Sequence, residues 1–117
     1  MKAARVLVVE DDITIGAMLG EILADMGHAV CATETTEAGA ITAAARCRPD
    51  LMIVDVRLGS GCGMRATDAI LRGGSVPHIF VTGDIFAMIE YRSDAVVIHK
   101  PFFTAQLAEA IEQVLAP

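Results

Sequence analysis

The sequence predicts a three-layer α/β domain: a five-stranded parallel sheet with helices on both faces. Three observations carry this. Short apolar runs recur without alternation, as strands buried on both faces require. Segments of helical spacing lie between successive runs, and a parallel sheet needs such crossovers. Finally, the chain has 117 residues, 54% of them hydrophobic, enough for one core and too few for a second domain, so residues 1–117 are read as a single domain. Aromatic residues are scarce, which suits helices packed closely on a sheet.

The first run, Val6–Val9, leads into Glu10-Asp11-Asp12. A first helix follows: Ile15, Met18, Leu19, Ile22, Leu23 and Met26 repeat at i, i+3, i+4 and i+7 up to Gly27, with Asp12 as cap. This Met-rich stripe is read as core. The second strand is Ala29–Ala32. A second helix starts near Thr35 or Thr36, buries Ala38, Ile41, Ala44 and Ala45, and ends before Pro49, whose ring disfavours a helical predecessor. Leu51–Val54 is the third strand and delivers Asp55. The glycines of Leu58-Gly59-Ser60-Gly61-Cys62-Gly63 imply a loose loop. A third helix carries Ala66, Ala69, Ile70 and Leu71 and stops at Gly73-Gly74. Ile79–Val81 forms the fourth strand, Ile85–Tyr91 a short and poorly bounded fourth helix, and Ala95–Ile98 the fifth strand. The last helix runs from a Thr104 cap through Leu107, Ile111, Val114 and Leu115.

Composition removes several function classes. A net charge of −6, with Arg46, Arg48, Arg57, Arg65 and Arg72 scattered, disfavours direct binding to nucleic acid. Cys31, Cys47 and Cys62 are odd in number and lack C-x-x-C spacing, which argues against a disulfide framework or structural zinc; Cys31 and Cys47 are read as buried small hydrophobes and Cys62 as a loop thiol. His28, His78 and His99 show no ligand spacing and are read as surface or packing residues. Charges interrupt every apolar stretch before the roughly 18 to 20 residues that span a bilayer, and Met1-Lys2-Ala3-Ala4-Arg5 leads into a run too short for a signal peptide. A cytosolic protein without membrane contact is expected.

In open parallel sheets the ligand site lies beyond the carboxyl ends of the strands. Those ends carry Glu10, Asp11 and Asp12 after the first strand, Asp55 at the third, Thr82 at the fourth and Lys100 after the fifth. Two unit charges about 4 Å apart repel by about 4 kcal/mol at an effective dielectric of 20, so such a cluster needs compensation. A hard divalent cation supplies it: Mg²⁺, or Mn²⁺ in its place, takes a couple of carboxylates, waters and a phosphate oxygen. Asp11 and Asp55 are expected as direct ligands, Glu10 through water, and the main-chain carbonyl of Arg57 as a further ligand. With charge thus screened, Asp55 can attack phosphorus while Thr82 and Lys100 stabilise the phosphoryl oxygens.

These residues resemble the CheY-like receiver domain of two-component response regulators over essentially the whole chain. The resemblance rests on Glu10-Asp11 after an apolar strand, Ile53-Val54-Asp55, Thr82-Gly83 and Lys100-Pro101-Phe102, in this order. It implies a flavodoxin-like sheet of order 2-1-3-4-5 and a phosphoryl group received on Asp55 from a sensor histidine kinase or histidine phosphotransfer protein. It further implies that Thr82 moves towards the phosphoryl group and alters the face formed by the fourth helix, fifth strand and fifth helix, where a downstream protein docks. Lys100-Pro101 is expected to be cis. Beyond self-phosphorylation and self-dephosphorylation, no enzyme activity is expected, and output runs through protein contacts or phosphorelay. Gly83, Asp84, Val97 and Pro101 are expected to modulate the site.

Two departures stand out, one being Leu58-Gly59-Ser60-Gly61-Cys62-Gly63 in place of the more usual Pro-containing loop after the acceptor strand. Val97 occupies the place, three residues before Lys100, where receivers usually have an aromatic side chain; Phe80, Phe86, Tyr91, Phe102 or Phe103 would take over part of its role. Phe80-Val81-Thr82-Gly83 resembles the F-x-T-G pattern of a receiver subgroup that also lacks this aromatic. Arg57 and Asp84, each two residues beyond a site residue, are placed to pair across the entrance and slow water. Rival classes fit less well. An aspartyl-phosphate phosphohydrolase usually has a second Asp where Arg57 stands, and a flavin carrier wants a phosphate cradle where Glu10-Asp11-Asp12 would repel one. The nearer alternative is a binding-only receiver that docks partners without phosphorylation.

Overall fold

The computed structural model describes residues 3–85 and 94–117. Its elements run β1 (Arg5–Val9), α1 (Ile13–Asp25), β2 (Ala29–Glu34), α2 (Glu37–Cys47), β3 (Leu51–Asp55), the two-residue strands β4 (Arg57–Leu58) and β5 (Gly61–Cys62), α3 (Gly63–Leu71), β6 (His78–Thr82), β7 (Val97–His99) and α4 (Thr104–Leu115). The predicted fourth helix, Ile85–Tyr91, falls almost wholly outside the described residues.

The main sheet is parallel throughout and ordered β2-β1-β3-β6-β7, which is the expected 2-1-3-4-5 order once the β4–β5 hairpin is set aside. Successive strand residues point to opposite faces, so each unalternated run feeds two cores. Val6, Val8, Ile53, Ile79 and Val81 pack with Leu19 and Leu23 of α1 and Leu107 and Ile111 of α4. Leu7, Val9, Met52, Val54 and Phe80 meet the alanine face of α2 and Ala66 of α3. Leu23, Phe80, Leu107 and Ile111 are fully buried. Each contributes about 1.5–3 kcal/mol relative to exposure.

Local chemistry sets the helix ends. Asp12 caps α1 by accepting the Ile15 N–H at 3.1 Å, and Gly27 beyond the helix has a φ of 91°. Thr36 caps α2 through the Gly39 N–H at 3.0 Å; α2 ends as Arg48 turns left-handed, at φ 47°, before Pro49. His28 is buried packing, its Nδ1 accepting the Ala4 N–H at 3.0 Å. The Lys100-Pro101 peptide is cis.

Four expectations need correction. First, α2 buries Ala40, Ala43 and Ala44, whereas Ala38, Ile41 and Ala45 are exposed. The smallest side chains allow the closest approach to the sheet, and that stripe, not the more hydrophobic one, faces it. Second, of the predicted α1 stripe only Leu19 and Leu23 are buried, with Ile22 and Met26 partly buried against the same core, while Ile15 and Met18 are exposed. Met18 is 55% exposed, and with Ile15, Pro101 and Phe102 it lines a shallow groove. Third, α4 is capped at Phe103 rather than Thr104: the Gln106 side chain accepts the Phe103 N–H at 2.7 Å. Fourth, the glycine-rich loop after β3 is not loose. It folds into the β4–β5 hairpin, in which only Gly59 needs a positive φ, 57°.

Candidate functional site

The parallel register aligns the strand ends and brings the predicted side chains into one cleft of about 570 Å³, lined by Glu10, Asp11, Asp55, Arg57, Thr82 and Lys100 among others. Glu10 follows β1 and is 2% exposed; Asp55 ends β3 and Thr82 ends β6, each 7% exposed. One oxygen from each of Glu10, Asp11 and Asp55 lies within 4.8 Å of the others. Lys100, just beyond β7, reaches back so that its Nζ donates to Asp55 Oδ2 at 2.6 Å and to Glu10 Oε1 at 3.2 Å.

Backbone donors hold three further carboxylate oxygens. The Asp12 N–H donates to Glu10 Oε2 at 3.1 Å, the Arg57 N–H to Asp55 Oδ1 at 3.2 Å, and the Gly59 N–H to Asp11 Oδ2 at 2.9 Å. Thr82 Oγ1 accepts the Asp84 N–H at 3.0 Å, so its own proton is available to another acceptor. Fully ionised, three carboxylates and one ammonium leave a charge of −2 at a cleft where Glu10 and Asp55 are buried and Asp11 is exposed. The electrostatics respond. Burial, together with the Asp55 and Asp11 carboxylates, raises Glu10 to about 7, against the lowering effect of the Asp12 N–H. Partial burial pulls Lys100 down, but its hydrogen bond to Asp55 and the charges of Asp55 and Glu10 outweigh this and the net shift is upward. A donor set of hard oxygens with two uncompensated charges fits a divalent cation that keeps part of its water shell.

Three supports escaped sequence reading. Glu37, at the start of α2, accepts the Cys62 N–H at 2.7 Å and pairs with Arg65 at 2.5 Å, bracing the hairpin from the far side. Arg65 lowers the Glu37 carboxyl to about 2, helped by the Cys62 N–H. Asp11 ties down the hairpin tip through Gly59. Gly63 packs so tightly that a Cβ there would overlap the Asp55 carbonyl oxygen and lie 2.7 Å from Val54 Cγ1. These contacts join residues far apart in sequence; only the glycine itself was a visible signal.

Val97 is half-buried and stands opposite Phe80, which is fully enclosed, with its ring edge-on to His78 at 5.2 Å. Phe103 is exposed and Phe102 partly buried, while Phe86 and Tyr91 lie outside the described residues. Arg57 and Asp84 both line the cleft.

Comparison with known proteins gives the same answer as the geometry. The profile of the family described as "Response regulator receiver domain" matches residues 6–112. The chain belongs to this family. As a receiver domain, it is a signalling module of two-component systems with the CheY-like fold. No curated protein sequence matches it. The receiver domain of the PhyR response regulator from Erythrobacter litoralis is 28% identical, with a TM-score of 0.90 over 98% of this receiver and 92% of that chain. A PhyR stress response regulator is 30% identical, with a TM-score of 0.85 over 97% of this receiver and 45% of that chain. The anti-anti-sigma factor PhyR from Bartonella quintana, at 24% identity, shares the fold with a TM-score of 0.90 over 98% of this receiver and 48% of its own length. The receiver thus spans about half the length of these last two proteins. Among the described residues no helix is long and apolar enough to cross a membrane.

Proposed function

We propose that this receiver accepts a phosphoryl group on Asp55 from a phosphohistidine of a sensor kinase or histidine phosphotransfer protein, and later loses it by hydrolysis. The supporting observation is the meeting of Glu10, Asp11 and Asp55 within 4.8 Å, with Lys100 bridging two of them. Asp11 and Asp55 would hold Mg²⁺ or Mn²⁺ directly, Glu10 through water, and the Arg57 carbonyl would add a ligand. Bound there, the cation supplies charge screening between Asp55 and the incoming phosphoryl group.

The protein's own groups divide the rest of the work. Lys100 occupies Asp55 Oδ2 at 2.6 Å, so Oδ1, which accepts the Arg57 N–H at 3.2 Å, is taken as the attacking oxygen. A bond forms from Oδ1 to phosphorus as the phosphorus–nitrogen bond breaks and the imidazole departs. Lys100 then offsets charge on one phosphoryl oxygen, and the Thr82 hydroxyl donates to another. Domain 1–117 acts without other enzyme activity, in the cytoplasm, through protein contacts of segment 85–91, β7 and α4 or through phosphorelay. Gly83, Asp84, Val97 and Pro101 modulate the switch.

The test is incubation with acetyl phosphate or phosphoramidate and Mg²⁺, read by intact mass. The wild type should gain one phosphoryl mass and Asp55→Asn none. No gain in a folded wild type, with or without a phosphorylated donor protein, would leave the binding-only receiver as the better reading.

A further inference from the structure

Away from the acidic cleft, two thiols from different elements meet. Cys31 lies on β2, the edge strand, and Cys47 is the last residue of α2, which packs against that strand. Their sequence spacing carries no motif. In the fold, Cys47 Sγ stands 3.6 Å from the Cys31 carbonyl oxygen, and Cys31 Sγ donates to the Val6 carbonyl at 3.4 Å. Burial pushes the Cys31 thiol up, and so do its side-chain hydrogen bond with Cys47 and the charge there. Both residues are half-buried, on an edge that a small oxidant can reach. Because Cys47 closes its helix just before left-handed Arg48, its side chain can adjust without breaking interior helix bonds.

We propose that Cys31 and Cys47 form a reversible intramolecular disulfide that tethers the end of α2 to β2. With a hydroperoxide as oxidant the chemistry balances in two stages. One thiolate attacks a peroxide oxygen; the O–O bond breaks, water or an alcohol leaves, and a sulfenic acid remains. The second thiol attacks that sulfur, the S–O bond breaks, and the departing hydroxide leaves as water with the thiol's proton. Whichever thiol is oxidised first, the other resolves it. The other end of α2 carries Glu37, which braces the hairpin beside Asp55. The tether therefore immobilises a helix that supports the acceptor loop. In a reducing compartment the bond is transient, the regime of redox sensing.

Cys62→Ser leaves these two thiols alone in the full chain. Treated with equimolar hydrogen peroxide, that variant should lose both titratable thiols and two hydrogens in mass, remain monomeric on a non-reducing gel, and recover with dithiothreitol. Adding Cys31→Ser should arrest it at a Cys47 sulfenic acid that dimedone captures. Separate oxygen adducts on both thiols of the Cys62→Ser protein, or disulfide-linked dimers, overturn the proposal. Should Cys62→Ser not fold by circular dichroism, peptide mapping of oxidised wild type decides: a Cys31–Cys47 cross-link supports the tether, and a Cys62 cross-link or none refutes it.

Discussion

Cation binding to this receiver should be coupled to the release of a proton from Glu10. The residue is 2% exposed, lies against Asp55 and Asp11, and is raised to about 7, whereas an ordinary Glu stands at 4.5. A divalent cation in the cluster favours the ionised form, so occupancy must expel the proton. With a midpoint near 7, about one-eleventh of the metal-free protein has Glu10 ionised at pH 6 and about ten-elevenths at pH 8. Apparent Mg²⁺ affinity should thus strengthen by about tenfold, or about 1.4 kcal/mol, across that interval. The same shift has an opposite consequence for stability. A carboxyl raised on folding stabilises the metal-free domain below its ordinary value, and this is lost as pH rises from 4.5 through 7. The ceiling is about 3 kcal/mol, less to the extent that the proton is shared with Asp55. Isothermal titration calorimetry in buffers of different ionisation enthalpy counts released protons directly: close to one at pH 6, close to none at pH 8. Glu10→Gln should flatten the dependence while other titrating groups contribute as before. Equal affinity at pH 6 and pH 8, with no proton released at either, would refute the reasoning.

Gly63→Ala should lower stability by about 3 kcal/mol in urea unfolding, because its Cβ overlaps the Asp55 backbone; a loss below about 1 kcal/mol would mean that the α3 start shifts freely. Lys100→Met removes the cation shared by Asp55 and Glu10, so Mg²⁺ should bind severalfold more tightly while phosphorylation by acetyl phosphate falls at least about tenfold; parallel losses of both would contradict the charge balance. Glu37→Ala should speed amide exchange at Cys62, measured by NMR, whereas Glu37→Gln keeps an acceptor there and should preserve most of the protection. Arg57→Ala should shorten the phosphoryl lifetime on Asp55, measured by loss of label, and an unchanged lifetime would remove the Arg57–Asp84 gate.

The sheet and the strand-end cluster were legible because both depend on short-range pattern. Val6–Val9 and Leu51–Val54 can only be strands buried on two faces, and the residue after each run must emerge at the carboxyl edge. Glu10, Asp11, Asp55, Thr82 and Lys100 were found that way, and the register places them in one cleft. What failed depends on partners distant in sequence. Hydrophobicity favoured Ile41 as the buried side of α2, yet helix-to-sheet distance decided for Ala40, Ala43 and Ala44. The glycines after Asp55 suggested freedom, while two carboxylates from other elements, Asp11 and Glu37, pin that segment. Cys31 and Cys47 read as unrelated residues until α2 folded back over β2.

Asp11 sets the terms on which metal and loop communicate. Its Oδ2 accepts the Gly59 N–H at 2.9 Å, so the carboxylate expected to bind a cation also anchors the hairpin tip. Arg57, in the same hairpin, donates its N–H to Asp55 Oδ1. The hairpin therefore touches both proposed direct ligands, while Gly63 seats its exit against the Asp55 backbone and Glu37 holds Cys62. A cation drawn to Asp11 Oδ2 would compete with the Gly59 N–H for that oxygen, whereas one held by Oδ1 would leave the hydrogen bond in place. The proposed cation site thus shares Asp11 with the β4–β5 hairpin beside Asp55.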